Sequence, residues 1–181
     1  MADDVGRDGQ GVRAAAVTRV KRAERRLRAT TYHEAGHAVA ALALGRRVRS
    51  VTVVPDAGRL GACTFAKMPR RFQPDAKLGP RTRASLEDHI TVSLAGEVAE
   101  HMYTGRHAWS GAADDMRQSL DRASYIAADD REVAALLEWL RLRARNLLAT
   151  NWSRVELVAT ELEERGTLTG LEALAAFTSA V

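Results

Sequence analysis

The sequence Thr31-Tyr-His-Glu-Ala-Gly-His-Ala-Val39 contains the stretch that decides the fold and the chemistry of this chain. It places two histidines four residues apart, with Glu34 directly after the first. Residues at i and i+4 share one face of a helix, so both imidazoles can reach one metal ion. The pattern predicts a zinc site on a helix, with His33 and His37 as ligands and Glu34 as the general base.

Such a short motif also arises by chance. With five histidines in 181 residues, random order gives it in roughly one chain in a hundred of this composition. A lone histidine on a helix is best explained as a packed core residue, whereas two histidines flanking a glutamate favour a metal. Gly36 adds to this, because glycine in a helix interior costs about 0.5–1 kcal/mol relative to alanine. We therefore expect another part of the molecule to lie very close to this backbone.

A catalytic zinc needs a third protein ligand. The long metzincin pattern would require glycine at position 40 and histidine at 43, and both positions are alanine, so that class is excluded. Spacing alone leaves six candidates further along the chain: Glu97, Glu100, His101, His107, Asp114 and Asp115.

The helical pattern around the motif runs from about residue 13 to Leu44, and Gly45 followed by two arginines indicates its end. Residues 48–54 are rich in β-branched side chains and stop at Pro55, and a second short run covers residues 60–65. These two runs predict a β-hairpin. Residues 67–84, with three of the four prolines, predict an exposed loop.

Helices are predicted for the remainder of the chain. Ser85, with Asp88 three residues later, is typical of a capping box, and it opens a helix to about Tyr103. We expect a further helix after Ser110 and two helices between Glu132 and Glu164 that are separated near residues 150–153. A last short helix is expected near residue 169. The predicted fold class is α+β and mainly helical, with a short β-hairpin at one rim.

Several segments together resemble the protease domain of the FtsH-type ATP-dependent zinc proteases. Residues 31–39 resemble that family's zinc signature, and Val51-Thr-Val-Val-Pro55 with Leu60-Gly61 resembles its substrate-facing strand region. Residues 92–100 resemble its Leu-x-Gly-Arg-x-Ala-Glu helix, with Glu97 in place of the usual arginine. Ser110-Gly-Ala-Ala-Asp-Asp115 resembles the segment whose last aspartate is the third zinc ligand. The resemblance covers about residues 30–177 and implies that Asp115 is the third ligand.

The resemblance also implies what this chain does. It implies a zinc-dependent metalloendopeptidase that cleaves unfolded or flexible polypeptides, with Zn²⁺ as cofactor. The family carries a membrane anchor and an ATPase module before the protease domain, and this sequence contains no phosphate-binding loop. We therefore expect no ATPase activity of its own, with a separate unfoldase or adaptor and a homo-oligomer as candidate partners. The alternative function is a non-catalytic adaptor or binding protein that retains the protease fold.

Composition sets the remaining expectations. The single cysteine, Cys63, excludes an intrachain disulfide and favours the reducing cytoplasm. No apolar run is long enough for a membrane span, and residues 1–12 predict a flexible tail before a domain that covers residues 13–181. The net charge is +4, with basic residues crowded between 19 and 28. One basic helix without interleaved aromatic residues is explained by a solvated face, so we do not expect nucleic-acid binding.

Overall fold

The computed structural model describes residues 6–56, 60–66, 78–106 and 112–179. Within these ranges the fold is α+β and mainly helical, which confirms the predicted class. It contains these elements: α1 (Gly6–Ala43), β1 (Val48–Thr52), β2 (Ala62–Phe65), α2 (Pro80–Thr104), α3 (Ala112–Ala123), α4 (Asp130–Thr150), α5 (Trp152–Arg165), β3 (Thr167–Thr169) and α6 (Gly170–Ser179). None of the helices in the described ranges is long and apolar enough to cross a membrane.

Helix α1 carries the His-Glu motif in its second half. It ends at Ala43, and Gly45 follows with a left-handed φ of 69°, as the sequence predicts. Residues 15–28 are exposed, whereas the helix is almost completely buried from residue 31 to 41. At its other end the helix already includes residues 6–12, most of the segment for which we predicted a flexible tail. The division into a tail and a domain stays a prediction.

The predicted hairpin is present, and its two strands belong to a three-stranded antiparallel sheet in the order β2-β1-β3. Strand β1 pairs with β2 through Val51 and Cys63, and with β3 through Val51 and Leu168. The sequence did not predict β3, because its three residues are too few to show strand periodicity. Strand β2 is an edge of the sheet in the described part of the chain.

The start of α2 differs from the prediction. The helix begins at Pro80 after Gly79 as N-cap, so residues 80–84 are helical rather than part of a loop. Proline suits the first helical position because its missing N–H is not needed there. Ser85 therefore lies inside the helix, and the capping box at that position is wrong. The predicted loop residues 67–77 lie outside the described residues.

The two helices that bear the site, α1 and α2, pack closely because small residues face each other. A Cβ atom added to Gly36 would lie 2.5 Å from Cβ of Ala99 and 2.6 Å from the carbonyl oxygen of Ala95. Real Cβ atoms do not approach this closely, so only glycine fits here. This confirms the expected close neighbour of Gly36. The buried side chains of α1 and α2 continue into one core with β1, α4 and α5, which holds the motif rigidly.

Candidate metal centre

The side chains of His33 and His37 lie on the buried face of α1, and each is about 5% exposed. Asp115, in the first turn of α3, points at both of them. Its Oδ2 atom lies 3.2 Å from Nε2 of His33 and 3.2 Å from Nε2 of His37. The two Nε2 atoms are 3.1 Å apart. Three ligand atoms from two helices thus form a nearly equilateral triangle.

These separations suit zinc. Zinc bonds to nitrogen and oxygen are about 2.0–2.2 Å long, so neighbouring ligand atoms in a tetrahedral site are about 3.3 Å apart. Among the described residues, His33, His37 and Asp115 form a group that could hold a metal ion. Three protein ligands leave the fourth tetrahedral position open for water or substrate, as in catalytic zinc sites.

Hydrogen bonds at Nδ1 of each histidine orient the imidazole rings so that their Nε2 atoms point to the metal position. Nδ1 of His37 donates to the carbonyl oxygen of Val92 at 2.7 Å. Nδ1 of His33 donates to Oε2 of Glu100 at 3.2 Å. A neutral imidazole that donates from Nδ1 presents a lone pair at Nε2. Two such lone pairs and a carboxylate oxygen converge on one point. A cation bound at that point would interact favourably with all three atoms.

The charges of the site also favour a cation at that point. Burial lowers the pKa of His33, but the hydrogen bonds with Asp115 and Glu100 outweigh this effect and raise the pKa to about 10. Burial raises the pKa of Asp115, but the two histidines outweigh it and hold this pKa well below its ordinary value. Without a metal, the group therefore retains a proton between the histidines and the carboxylate. A metal ion would replace that proton.

Glu34 lies beside this group and is buried, with 6% exposure. Burial raises the pKa of its carboxyl group, which makes it a stronger base than an exposed glutamate. Gly61, just before β2, leaves room for it. A Cβ atom on Gly61 would lie 2.8 Å from both Cγ and Oε1 of Glu34. The chain before β2 therefore approaches the proposed general base to within contact distance.

A second glycine lets α2 approach the two imidazoles. A Cβ atom on Gly96 would lie 2.3 Å from Nε2 of His37 and 2.6 Å from Nε2 of His33. Sequence reasoning identified neither Gly61 nor Gly96 as a site residue from the spacing of the residues. Both lie in segments that carry the family resemblance, which was the one available signal.

The structure separates the five described candidates for the third ligand. Asp115 joins the two histidines, and Glu100 contacts the far side of the His33 ring instead. Glu97 lies 3.9 Å from Arg141, and Asp114 is exposed and pairs with Arg117 at 3.0 Å. His101 is outside the metal group, and His107 lies outside the described residues.

The metal group opens into a cleft of about 540 Å³ between α1, α2, α3 and β2. All four residues of β2 line it, together with Leu60 and Gly61. Arg26 and Thr30 line it from α1, and Gln118 lines it from α3. On α1 the lining runs from Arg26 to His37, so the cleft extends along this helix from the metal group towards Arg26, and β2 also lines it.

Comparison with known proteins gives consistent matches. Residues 19–129 match the model of peptidase family M41. The chain is 31% identical to ATP-dependent zinc metalloprotease FtsH 2 of Symbiobacterium thermophilum, over 79% of this chain and 29% of that protein. It is 33% identical to FtsH 1 of the same organism, over 89% of this chain and 29% of that protein. Its identity to FtsH of Methylibium petroleiphilum is 40%, over 56% of this chain and 15% of that protein. The chain spans less than a third of the length of these relatives.

Proposed function

Because the chain belongs to peptidase family M41, we propose that it is a zinc-dependent metalloendopeptidase that cleaves unfolded or flexible polypeptides. The observation that carries the proposal is the convergence of Nε2 of His33, Nε2 of His37 and Oδ2 of Asp115 beside the carboxylate of Glu34. The names of the relatives, which are zinc metalloproteases, support zinc as the metal.

His33, His37 and Asp115 would hold the zinc ion. When bound, zinc polarises a carbonyl group and lowers the pKa of a ligated water to about 7. Glu34 then acts twice. One oxygen of its carboxylate takes a proton from the attacking water, and the same group delivers that proton to the leaving amide nitrogen as the C–N bond breaks. Its buried position and raised pKa suit both transfers.

Glu100 and the carbonyl of Val92 would position the two histidine ligands. By accepting hydrogen bonds from the Nδ1 atoms of His33 and His37, they keep both Nε2 lone pairs directed at the metal position. Such outer partners typically contribute about 10–100-fold to metal affinity.

Strand β2 would hold the substrate. An extended peptide that lies in the cleft can add to this sheet edge through main-chain hydrogen bonds, which depend little on side chains. A chain must be unfolded to bind in this way, and a domain of ordinary stability is unfolded only about 10⁻³–10⁻⁶ of the time. Selectivity would thus depend on conformation more than on sequence. A separate unfoldase or adaptor stays a predicted partner for folded substrates.

The test compares a permanently unfolded protein with its stably folded form, each with and without ATP. We expect the zinc-loaded 181-residue chain to cleave the unfolded form rapidly and the folded form far more slowly, with no effect of ATP. Rapid cleavage of the folded form, or stimulation by ATP, would contradict the proposal. No cleavage of any substrate would favour the non-catalytic adaptor instead.

A further inference from the structure

The basic residues on the exposed half of α1 divide into two faces. A helix turns by about 100° per residue, so Arg19, Arg22 and Arg26 fall within an arc of about 60° that also contains His33 and His37. Lys21 and Arg25 fall about 90° or more away from the centre of this arc. Half of the charge cluster therefore continues the line of the two histidines along the helix.

Arg26 is the residue that connects this line to the site. It lines the same cleft as His33 and Glu34, and it is the only lysine or arginine among the described residues that do so. Its side chain is exposed. None of the ion pairs between described residues involves Arg26 or Arg22. Both guanidinium groups are thus available to an incoming ligand.

None of the ion pairs between described residues joins Arg26 to an acidic residue of the cleft. Glu34 is buried beside the two histidines. Asp115 faces the two histidines, and Glu100 contacts His33. Asp114 is paired with Arg117. Arg26 therefore brings to the cleft a positive charge that is in no ion pair between the described residues.

We propose that Arg26 and Arg22 form a basic track that selects substrates with acidic side chains on one side of the scissile bond. The proposal rests on the proposed function and specifies its substrate class. With a rise of 1.5 Å per residue, Arg26 lies about 10 Å and Arg22 about 16 Å before His33 along α1. An extended peptide advances about 3.3 Å per residue. In a bound peptide that runs along the α1 side of the cleft, glutamate or aspartate three to five residues from the scissile bond would lie beside the two arginines.

The experiment measures peptide binding and cleavage in parallel. Zinc-loaded Glu34→Gln protein is titrated with fluorescent peptides in which glutamines three to five residues from the cleavage site are replaced by glutamate or lysine, on either side. The Kd is followed by fluorescence anisotropy, and kcat/KM is measured with Glu34 intact. We expect each glutamate on one side to improve Kd about two- to fivefold, as exposed ion pairs do. The gain should shrink as salt is added.

Two double variants separate a track from a general charge effect. In Arg22→Gln/Arg26→Gln the preference for glutamate should disappear. In Lys21→Gln/Arg25→Gln, which removes the same charge from the other face, it should remain. Glutamine is a good helix former, so both proteins should keep α1. The proposal would be overturned if both double variants lost the preference for glutamate equally. It would also be overturned if glutamate improved Kd equally on both sides of the cleavage site, or did not improve it at all.

The outcomes also distinguish the track from the proposed function. Cleavage of the peptides without a charge preference would refute the track and leave the peptidase. A preference for glutamate in Kd that depends on Arg22 and Arg26, with no cleavage by the unmodified chain, would refute the peptidase and leave the track.

Discussion

Replacing Gly96 by alanine should strongly weaken zinc binding in a protein that still folds. The added Cβ atom would lie 2.3 Å from Nε2 of His37 and 2.6 Å from Nε2 of His33. Carbon and nitrogen atoms in contact are normally about 3.5 Å apart, so α2 or the imidazoles must shift by about 1 Å. Disturbing a single outer partner of a ligand already lowers metal affinity about 10–100-fold. Because Gly96→Ala displaces two ligands, we expect a loss of at least about 100-fold, or about 2.7 kcal/mol.

Zinc affinity is measured by competition with a chromophoric chelator, and urea unfolding of the zinc-free proteins gives their stability. Overpacking typically costs about 1–3 kcal/mol, and up to about 1 kcal/mol returns from the better helix propensity of alanine. Gly79→Ala, at the N-cap of the same helix, is the control, because a Cβ atom there would meet nothing within 4 Å. It should leave zinc affinity unchanged. Wild-type zinc affinity in folded Gly96→Ala would refute the assignment of the histidines as ligands.

Three further predictions concern other parts of the molecule. Gly61→Ala should retain zinc but lower kcat about tenfold or more, because its Cβ atom would lie 2.8 Å from the carboxylate of Glu34. Loss of zinc in this variant would contradict the claim that Gly61 contacts the general base and not the zinc ligands. Asp115→Ala should lose most of the zinc in metal analysis, whereas Asp114→Ala, one residue earlier and exposed, should retain it; the reverse result would show that the third ligand is assigned wrongly. Burial lowers the pKa of His89 to about 4. Between pH 6.5 and 4 the unfolded chain therefore binds a proton at this residue and the folded chain does not. The free energy of unfolding should fall as the pH falls through this window. Urea unfolding of zinc-free protein should show that the free energy of unfolding falls less between pH 6.5 and 4 in His89→Gln than in wild type. An equal fall in both proteins would refute this role of His89.

Much of the fold was predictable because the elements have strong local signals. The histidine helix, the hairpin and the break between α4 and α5 all follow from periodicity and from residues that end helices. Strand β3 was not predictable, since Thr167–Thr169 forms a strand only by pairing with β1. The start of α2 was misplaced because Ser85 matches a capping box, whereas the actual signal was Pro80 after Gly79.

The site was predictable only in part, for a physical reason. His33, Glu34 and His37 are close in the chain, so helix geometry alone places them together. Asp115 is 78 residues beyond His37, and only the resemblance to a family selected it from six candidates. The contributions of Gly61 and Gly96 depend on which atoms of other elements face them, which no spacing in the sequence reveals.

The most direct test measures zinc content and peptide cleavage on the same preparations of wild type and Glu34→Gln. Glutamine keeps the size of the side chain but cannot accept the proton of water. We predict about one zinc per chain in both proteins, with cleavage in wild type and almost none in the variant. Equal cleavage by both proteins, or wild-type protein that binds no zinc, would contradict the account.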